Sequence, residues 1–381
     1  MIKEHKGTIL FAGNFQYQFR EFAMARALKE LGWQIEPFSW EDYTPLTFIG
    51  RILFKYMLGR TVKRINADLL SICKRTKPDI VFLCRPNYIS TATIMALKSH
   101  CRLIATWNPD NPFGGYNLNS AMKYKPTGIY RLLFPLIVCE KAIYFRRLWS
   151  KLLRALPLYD ICFVYRSENI EKYKQAGVEK VYHLPSFYDP ALHRPMTLID
   201  ADKKCYERDV VFIGHFEPDG RVQYLEALLD NDIKFQLYGQ SWNYYLSAKI
   251  KKMFSDPIRP IFGINYTKTI SGAKIALCFL SKLNLNQYTR RCFEIPACRT
   301  LLLCERTPKM QELFMEDREA VYFSDPLELV AKVKYYLAHP AERNAIAVAG
   351  YERCMSSGYD VANRMKICDE IFNQELFSTT T

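Results

Sequence analysis

"NQYTRRCFEIPACRTLLLCERTP", residues 286–308, decides the fold. Leu301–Leu303 form an apolar run of strand type, and "CFEIPAC" before it reads as a short helix. Upstream, "AKIALCFL" (273–280) is a second strand, followed by the loop "SKLNLNQYTRR". Strand, loop, helix, strand is one crossover of a parallel sheet. Arg290, Arg291 and Glu294 fall at the start of that helix. Pro296 is expected in its first turn, where a missing N–H costs nothing. Free N–H groups at a helix start attract anions, and two arginines add bidentate donors, a layout suited to a diphosphate. Glu294 has two readings. Its carboxylate accepts from the vicinal hydroxyls of a ribose, or it caps the helix beside solvated arginines.

The same alternation runs outward in both directions. Before residue 195, the strands read "TILFAGN", "KPDIVFLC", "CRLIATWN", "YDICFVY" and "VEKVYHLP". Among the helices between them, "REFAMARALKELGW" has an expected apolar face of Phe22, Ala25, Leu28, Ala23, Ala27 and Leu31, closed by Gly32. After residue 205, "DVVFIGHF", "IKFQLYG", "AKIALCFL", "TLLLCE" and "VYFSD" are strands. "PLELVAKVKYYLAHP" is a helix with Leu327, Val330, Val333 and Leu337 on one side. The expectation is α/β architecture with two doubly wound parallel sheets facing a cleft. Residues 1–195 and 205–358 form the two domains, joined by the polar, Pro195-broken stretch from about 190 to 208, and 359–376 is a final helix. Ligands of such sheets sit at the carboxyl ends of the strands.

The 381 residues are 49% hydrophobic and carry a net charge of +14, which favours an anionic partner without choosing one. No nucleic-acid-binding motif accompanies the charge, so nucleic acid is not an expected partner. The 12 cysteines include no CxxC pair and no Cys/His cluster of zinc type, so the expected metal set is none and the thiols are read as buried and reduced, as in a cytosolic chain. The first residues lack the apolar core of a signal peptide. The expected localisation is cytoplasmic, soluble or peripheral at the inner membrane face. Two basic amphipathic segments, 48–75 and 120–156, motivate the peripheral reading. Ile49, Ile52 and Leu53 in the first, and Leu148, Trp149 and Leu152 in the second, face a side opposite arginines and lysines. Such helices lie on an anionic membrane or pack into the domain.

The segments "DVVFIGHFEPDGRVQYLEALL", "FQLYGQSW", "AKIALCFLSKLNLNQYTRRCFEIPAC" and "ELFMEDREAVYFSDPLELVAKVKYYLAHPAERNAIAVAGYERC" together resemble the CgeB/YkvP-like glycosyltransferases, a GT-B branch near family four. The resemblance covers roughly 209–376 and is weaker before that. It implies two Rossmann-like domains facing a central cleft, a nucleotide-diphosphate-sugar donor in the C-terminal one, and a final helix crossing back. Glu294 matches the second acid of the Glu-x7-Glu motif, the one that contacts the donor ribose. Asn286 stands where the first acid would be, and Arg299 where the wider family often has Gly. In the Gly214–His215 loop, His215 replaces a common Arg and Arg221 stands near the phosphate-contacting Lys. Tyr238, Gly239 and the 261–263 turn with Phe262 would line the nucleobase pocket. The resemblance implies no cofactor and no metal, and it leans toward retention of configuration.

The acceptor, a glycan or a lipid-linked glycan, is expected on the N-terminal domain. Gly13 and Asn14 end the first strand, where backbone approaches a sugar closely. Asp110 in "WNPDNPF" is the candidate base for an acceptor hydroxyl, or else a residue of an Asx-turn. Arg85 meets an acidic acceptor group or is a surface arginine. A non-catalytic nucleotide-sugar or glycan-binding protein on the same fold is the competing reading.

Overall fold

The computed structural model describes residues 6–16, 20–114, 130–246, 248–282 and 284–377. The chain divides into two compact units. One holds the chain up to Gly115, Ile143–Ser186 and the stretch from Val361 on, and the other holds Tyr116–Ala142 and Phe187–Asp360.

The first unit is built on a six-stranded parallel sheet of order β2-β1-β3-β4-β5-β6. Its strands are β1 (Thr8–Gly13), β2 (Gln34–Ser39), β3 (Ile80–Cys84), β4 (Leu103–Asn108), β5 (Ile161–Val164) and β6 (Lys180–His183). Every residue of β3, β4 and β5 is buried, as expected for parallel strands covered on both faces. The Val361–Phe377 helix packs on this unit. Asp369 accepts from Trp33 Nε1 and pairs with Lys6, each at 2.8 Å, and Phe372 meets the rings of Phe82 and Phe163 edge-on.

The second unit carries a five-stranded parallel sheet of order β11-β10-β9-β7-β8. Its strands are β7 (Arg208–Ile213), β8 (Gln236–Tyr238), β9 (Ala273–Cys278), β10 (Leu301–Glu305) and β11 (Val321–Phe323). Val210, Phe212, Ile275, Leu277, Leu301 and Leu303 alternate into one core with Leu225 and Leu228 of the Arg221–Asp230 helix.

Several expectations are corrected. Strand β2 was not expected, because "QIEPFS" is polar and holds Pro37; as an edge strand it tolerates both. The division falls at Ser186/Phe187, ahead of the expected linker, because Tyr188 bridges to Asp360 and its hydroxyl reaches the carbonyl of Cys354. Phe22 is exposed, and Met24 is buried in its place. Leu327 is exposed and Leu329 is buried. Pro340–Ser356 adds a helix not assigned from the sequence. Pro296 sits near the end of the Arg291–Ala297 helix rather than in its first turn. There it helps stop the helix, and Arg299 follows at φ +57°.

The two basic segments part ways. Leu148, Trp149 and Leu152 of the second are buried in the first unit's core, so this stretch packs internally. Residues 120–129 of that segment lie outside the described residues. The first segment forms two helices, Phe48–Lys55 and Gly59–Thr76. The longer one buries Val62, Ile65, Leu69 and Cys73. The shorter one, capped by the Thr47 side chain, buries nothing: Phe48 is 78% exposed and Ile49 71%. No helix among the described residues is long and apolar enough to cross a membrane.

Candidate functional site

At the carboxyl edge of the second sheet, Gly214 follows β7 and Gly239 follows β8. The Gly214 N–H donates to the Tyr238 carbonyl (2.9 Å). Gly239 has φ +152°, and a Cβ there would lie 1.9 Å from the Gly214 carbonyl oxygen, so only glycine permits this backbone contact. Trp242 Nε1 donates to the same oxygen at 2.7 Å. Arg291 lies beside this turn, its Nη1 3.4 Å from where a Gly214 Cβ would be. Its guanidinium stacks over Phe212 and donates weakly to the Phe279 carbonyl (3.4 Å), while its Nε has no hydrogen-bond partner among the described residues.

Glu294 is fully buried, which its sequence position at a helix start did not reveal. Its carboxylate accepts from the Tyr266 hydroxyl at 2.5 Å, pairs with Arg290, and faces His193 Nε2 at 3.5 Å. His193 is also buried, and its Nδ1 accepts from the Asp189 backbone N–H (3.0 Å). The Nε2 therefore bears the proton and points it at Glu294. Burial opposes the charge on Glu294, but Arg290, His193, Tyr266 and Arg291 outweigh it and hold the carboxyl below its ordinary value. Burial likewise pushes the His193 imidazole down. In this conformation the carboxylate makes no cap hydrogen bond to its helix, and Tyr266 and Arg290 occupy the oxygens that a ribose would meet. His193 and Tyr266 were missed, because nothing in their local sequence marks them. They reach Glu294 only through the fold.

Arg221 is also placed differently from the expectation. It is 2% exposed and committed to protein. Nε donates to Asp219 Oδ1 (2.8 Å), Nη2 to Asp219 Oδ2 (2.5 Å) and Nη1 to the His215 carbonyl (2.7 Å), and Glu217 lies 3.6 Å away. Burial raises the Glu217 pKa, but the His215 hydrogen bond, Arg221 and Ser281 overcome this and bring it to about 2. His215 itself is exposed, 2.8 Å from Glu217. Arg221 is thus a brace for the Gly214–Gly220 loop. Of the expected donor-side residues, Arg290 pairs with Glu294, Arg291 Nε has no hydrogen-bond partner among the described residues, and His215 is exposed.

Tyr238 is half-buried and lines a cavity of about 580 Å³ with residues 257–261. Phe262 is not part of that lining; it precedes the Gly263–Ser271 helix and is exposed. Asn286 is half-buried in the loop after β9, its N–H bonded to the Ser281 carbonyl.

The carboxyl edge of the first sheet holds a second group. Asn14 Oδ1 accepts from the Gln16 N–H (3.1 Å). Gly13 is tight against Glu21: a Cβ would lie 2.8 Å from Glu21 Cγ. Glu21 is 3% exposed, and its Oε1 has no partner among the described residues. Arg85 adopts φ +53° and faces Asp110 at 3.7 Å. Asn108 Oδ1 accepts the Asp110 N–H (3.1 Å), so the Asx-turn belongs to Asn108 and leaves the Asp110 carboxylate to Arg85. Glu21 Oε1, Arg85 Nε and Asn108 Nδ2 are all buried without a partner. Glu21 opens the helix after β1, Arg85 follows β3 and Asn108 ends β4, three adjacent strands. Buried polar atoms are normally satisfied, so these three stand out among the described residues of the first unit. Glu21 and Asn108 had no signal in the sequence, since a helix-start glutamate and a strand-end asparagine are common.

Sequence spacing gave no sign of one further grouping. The sulfurs of Cys278, Cys292 and Cys304 lie within 4.8 Å of one another.

Residues 221–368 match a family described as glycosyl transferase-like. Among curated proteins, the spore protein CgeB of Bacillus subtilis is 22% identical over 216 residues, 52% of this chain. The match spans 64% of that relative's length. Among solved structures, Anabaena HepE in complex with UDP-glucose aligns with a TM-score of 0.59 at 10% identity, covering 97% of this chain and 100% of that one. Sucrose-phosphate synthase from Thermosynechococcus elongatus gives 0.59 at 13%, covering 94% and 92%. A glycosyltransferase from Rickettsia africae gives 0.60 at 12%, covering 98% and 99%. The fold is GT-B, two parallel α/β units of Rossmann type. Within that class the chain is similar to the CgeB-like glycosyltransferases, the resemblance its C-terminal segments carry.

Proposed function

We propose that this protein transfers a sugar from a nucleoside-diphosphate-sugar donor, held by the second unit, to a hydroxyl of a glycan or lipid-linked acceptor held by the first. The observation that carries the reading is Arg291, a half-buried guanidinium beside the Gly214 turn with Nε unpartnered. A diphosphate leaving group supplies the missing acceptor, and His215 adds a second donor. Stabilising that developing charge is the main catalytic task, of the oxyanion-hole kind. It needs no metal ligand set from these residues. The ligand of Anabaena HepE makes a UDP-sugar the first donor to test. In this conformation Tyr266 occupies Glu294, so a ribose contact requires displacement of the Tyr266 hydroxyl.

On the acceptor side, Glu21 Oε1 accepts a hydrogen bond from an acceptor hydroxyl, while Asn108 and Arg85 donate to acceptor oxygens. Asp110, held by Arg85, is the base if transfer inverts configuration. If transfer retains it, as the family leans, a donor phosphate oxygen takes the proton instead. The exposed Phe48–Lys55 helix is the proposed contact with an anionic membrane at the cytoplasmic face. Residues 44–67 include Arg51, Lys55, Arg60, Lys63 and Arg64 and no acidic residue, which complements anionic lipid.

The test is turnover of a nucleotide-sugar panel by wild type and Arg291→Met. Release of nucleoside diphosphate by wild type, with loss in the variant and retained UDP binding by Asp110→Asn, supports transfer. UDP binding without consumption of any donor would leave only the binding-protein reading.

A further inference from the structure

Cys278 ends β9, Cys292 lies in the first turn of the Arg291–Ala297 helix, and Cys304 lies near the end of β10. They are spaced 14 and 12 residues apart in sequence, yet all three are fully buried and converge beneath that helix. The Cys278 and Cys292 sulfurs are 3.7 Å apart, and those of Cys292 and Cys304 are 3.9 Å apart. Three sulfurs bound at about 2.3 Å to one ion are separated by about 3.8 Å in tetrahedral geometry and about 4.0 Å in trigonal geometry. Two of the three separations already match a metal–thiolate centre, and the third, Cys278 to Cys304, is within 4.8 Å.

The surroundings fit anionic sulfur. The Thr289 backbone N–H donates to Cys292 Sγ at 3.4 Å, and such donors to ligand sulfur tune thiolate centres. The guanidinium of Arg291 lies beside Cys278 and offsets negative charge there. No fourth histidine, cysteine or carboxylate joins the group among the described residues. A dry three-sulfur site suits a soft ion content with three ligands, and thiolates select monovalent copper over harder ions.

We propose that Cys278, Cys292 and Cys304 form a thiolate site for monovalent copper. Each ligating thiol releases its proton to solvent as the ion enters. Because Cys292 stands between Arg291 and Glu294, the ion ties the first turn of their helix to β9 and β10.

The test is an anaerobic titration of the full chain with monovalent copper against a competing chelator. It is done in a Cys139→Ser, Cys205→Ser background to remove exposed thiols. The expected result is one tightly held equivalent, a thiolate-to-copper charge-transfer band, and a rise in Tm. Cys304→Ser and Cys292→Ser should each lower copper affinity at least tenfold while circular dichroism shows a folded chain. Should either variant unfold, alkylation mapped by mass spectrometry on the unsubstituted chain decides. Copper must then shield Cys278, Cys292 and Cys304 from alkylation in partly denaturing buffer and leave Cys162 and Cys368 unshielded. Absence of a bound equivalent, uptake undiminished in both folded variants, or shielding that does not distinguish these cysteines would overturn the proposal.

Discussion

Arg221→Met separates a loop brace from a phosphate ligand. The substitution keeps the aliphatic stem but removes a guanidinium that is 2% exposed. It leaves the Asp219 side chain, also 2% exposed, without its cation, and leaves the buried Glu217 only His215 and Ser281 as partners. Removing one partner of a buried ion pair costs about 3–5 kcal/mol, mostly the penalty of the charge left behind. The Asp219 contact is bidentate through Nε and Nη2, so a value inside that range is expected. Urea unfolding followed by tryptophan fluorescence measures it, and Trp242 reports directly because it is buried against Phe212 and Phe216 of the same unit. Among molecules still folded, affinity for UDP should stay within about threefold of wild type, a difference of under 1 kcal/mol. A stability loss below about 1 kcal/mol, together with loss of UDP binding, would refute the brace and return Arg221 to the phosphate site.

Glu217 gives the same loop a pH dependence. Its pKa is about 2 when folded and near its ordinary value of 4.5 when unfolded. A depressed folded pKa stabilises the protein above about pH 4.5, and the contribution of about 3 kcal/mol is lost as pH falls toward 2. Glu217→Gln should flatten this window in acid-unfolding curves; an unchanged curve would contradict the pairing. Arg299 is exposed at φ +57°, so Arg299→Gly should raise stability by about 0.5–1 kcal/mol in thermal unfolding. Gly239→Ala should prevent close approach to Gly214 and abolish soluble folded protein or nucleotide binding. Phe48→Ser with Ile49→Ser should remove co-flotation with anionic vesicles and leave Tm within about 1 °C, since neither side chain is buried. Co-flotation that persists would show that another surface binds lipid.

The architecture was legible because parallel strands buried on both faces announce themselves. "IVFLC", "LIATWN" and "LLLCE" are near-continuous apolar runs separated by helical periods. Strand β2 was missed because an edge strand with Pro37 lacks that signal. The basic segments were legible as amphipathic helices, but their apolar faces gave no indication of which one the core would take. Trp149 went inside and Phe48 stayed out. At the carboxyl edge of the second sheet, Arg291 and Gly214 could be found in the sequence by position, as residues opening a helix or following a strand.

What only tertiary structure decided is which charges are spent. Arg221 and Arg291 are both arginines beside one loop, yet Asp219 consumes the first, while the second keeps a free Nε. Glu294 had two readings in the sequence, ribose contact or helix cap, and neither included Tyr266 and His193, 28 and 101 positions earlier, which close over it. Glu21, Asn108 and the three cysteines behave likewise. Local sequence sets secondary structure through periodicity and backbone preference, which act over a few residues. Burial, pairing and the leftover polar atoms depend on contacts between distant strands and helices, and those exist only once the sheets have formed.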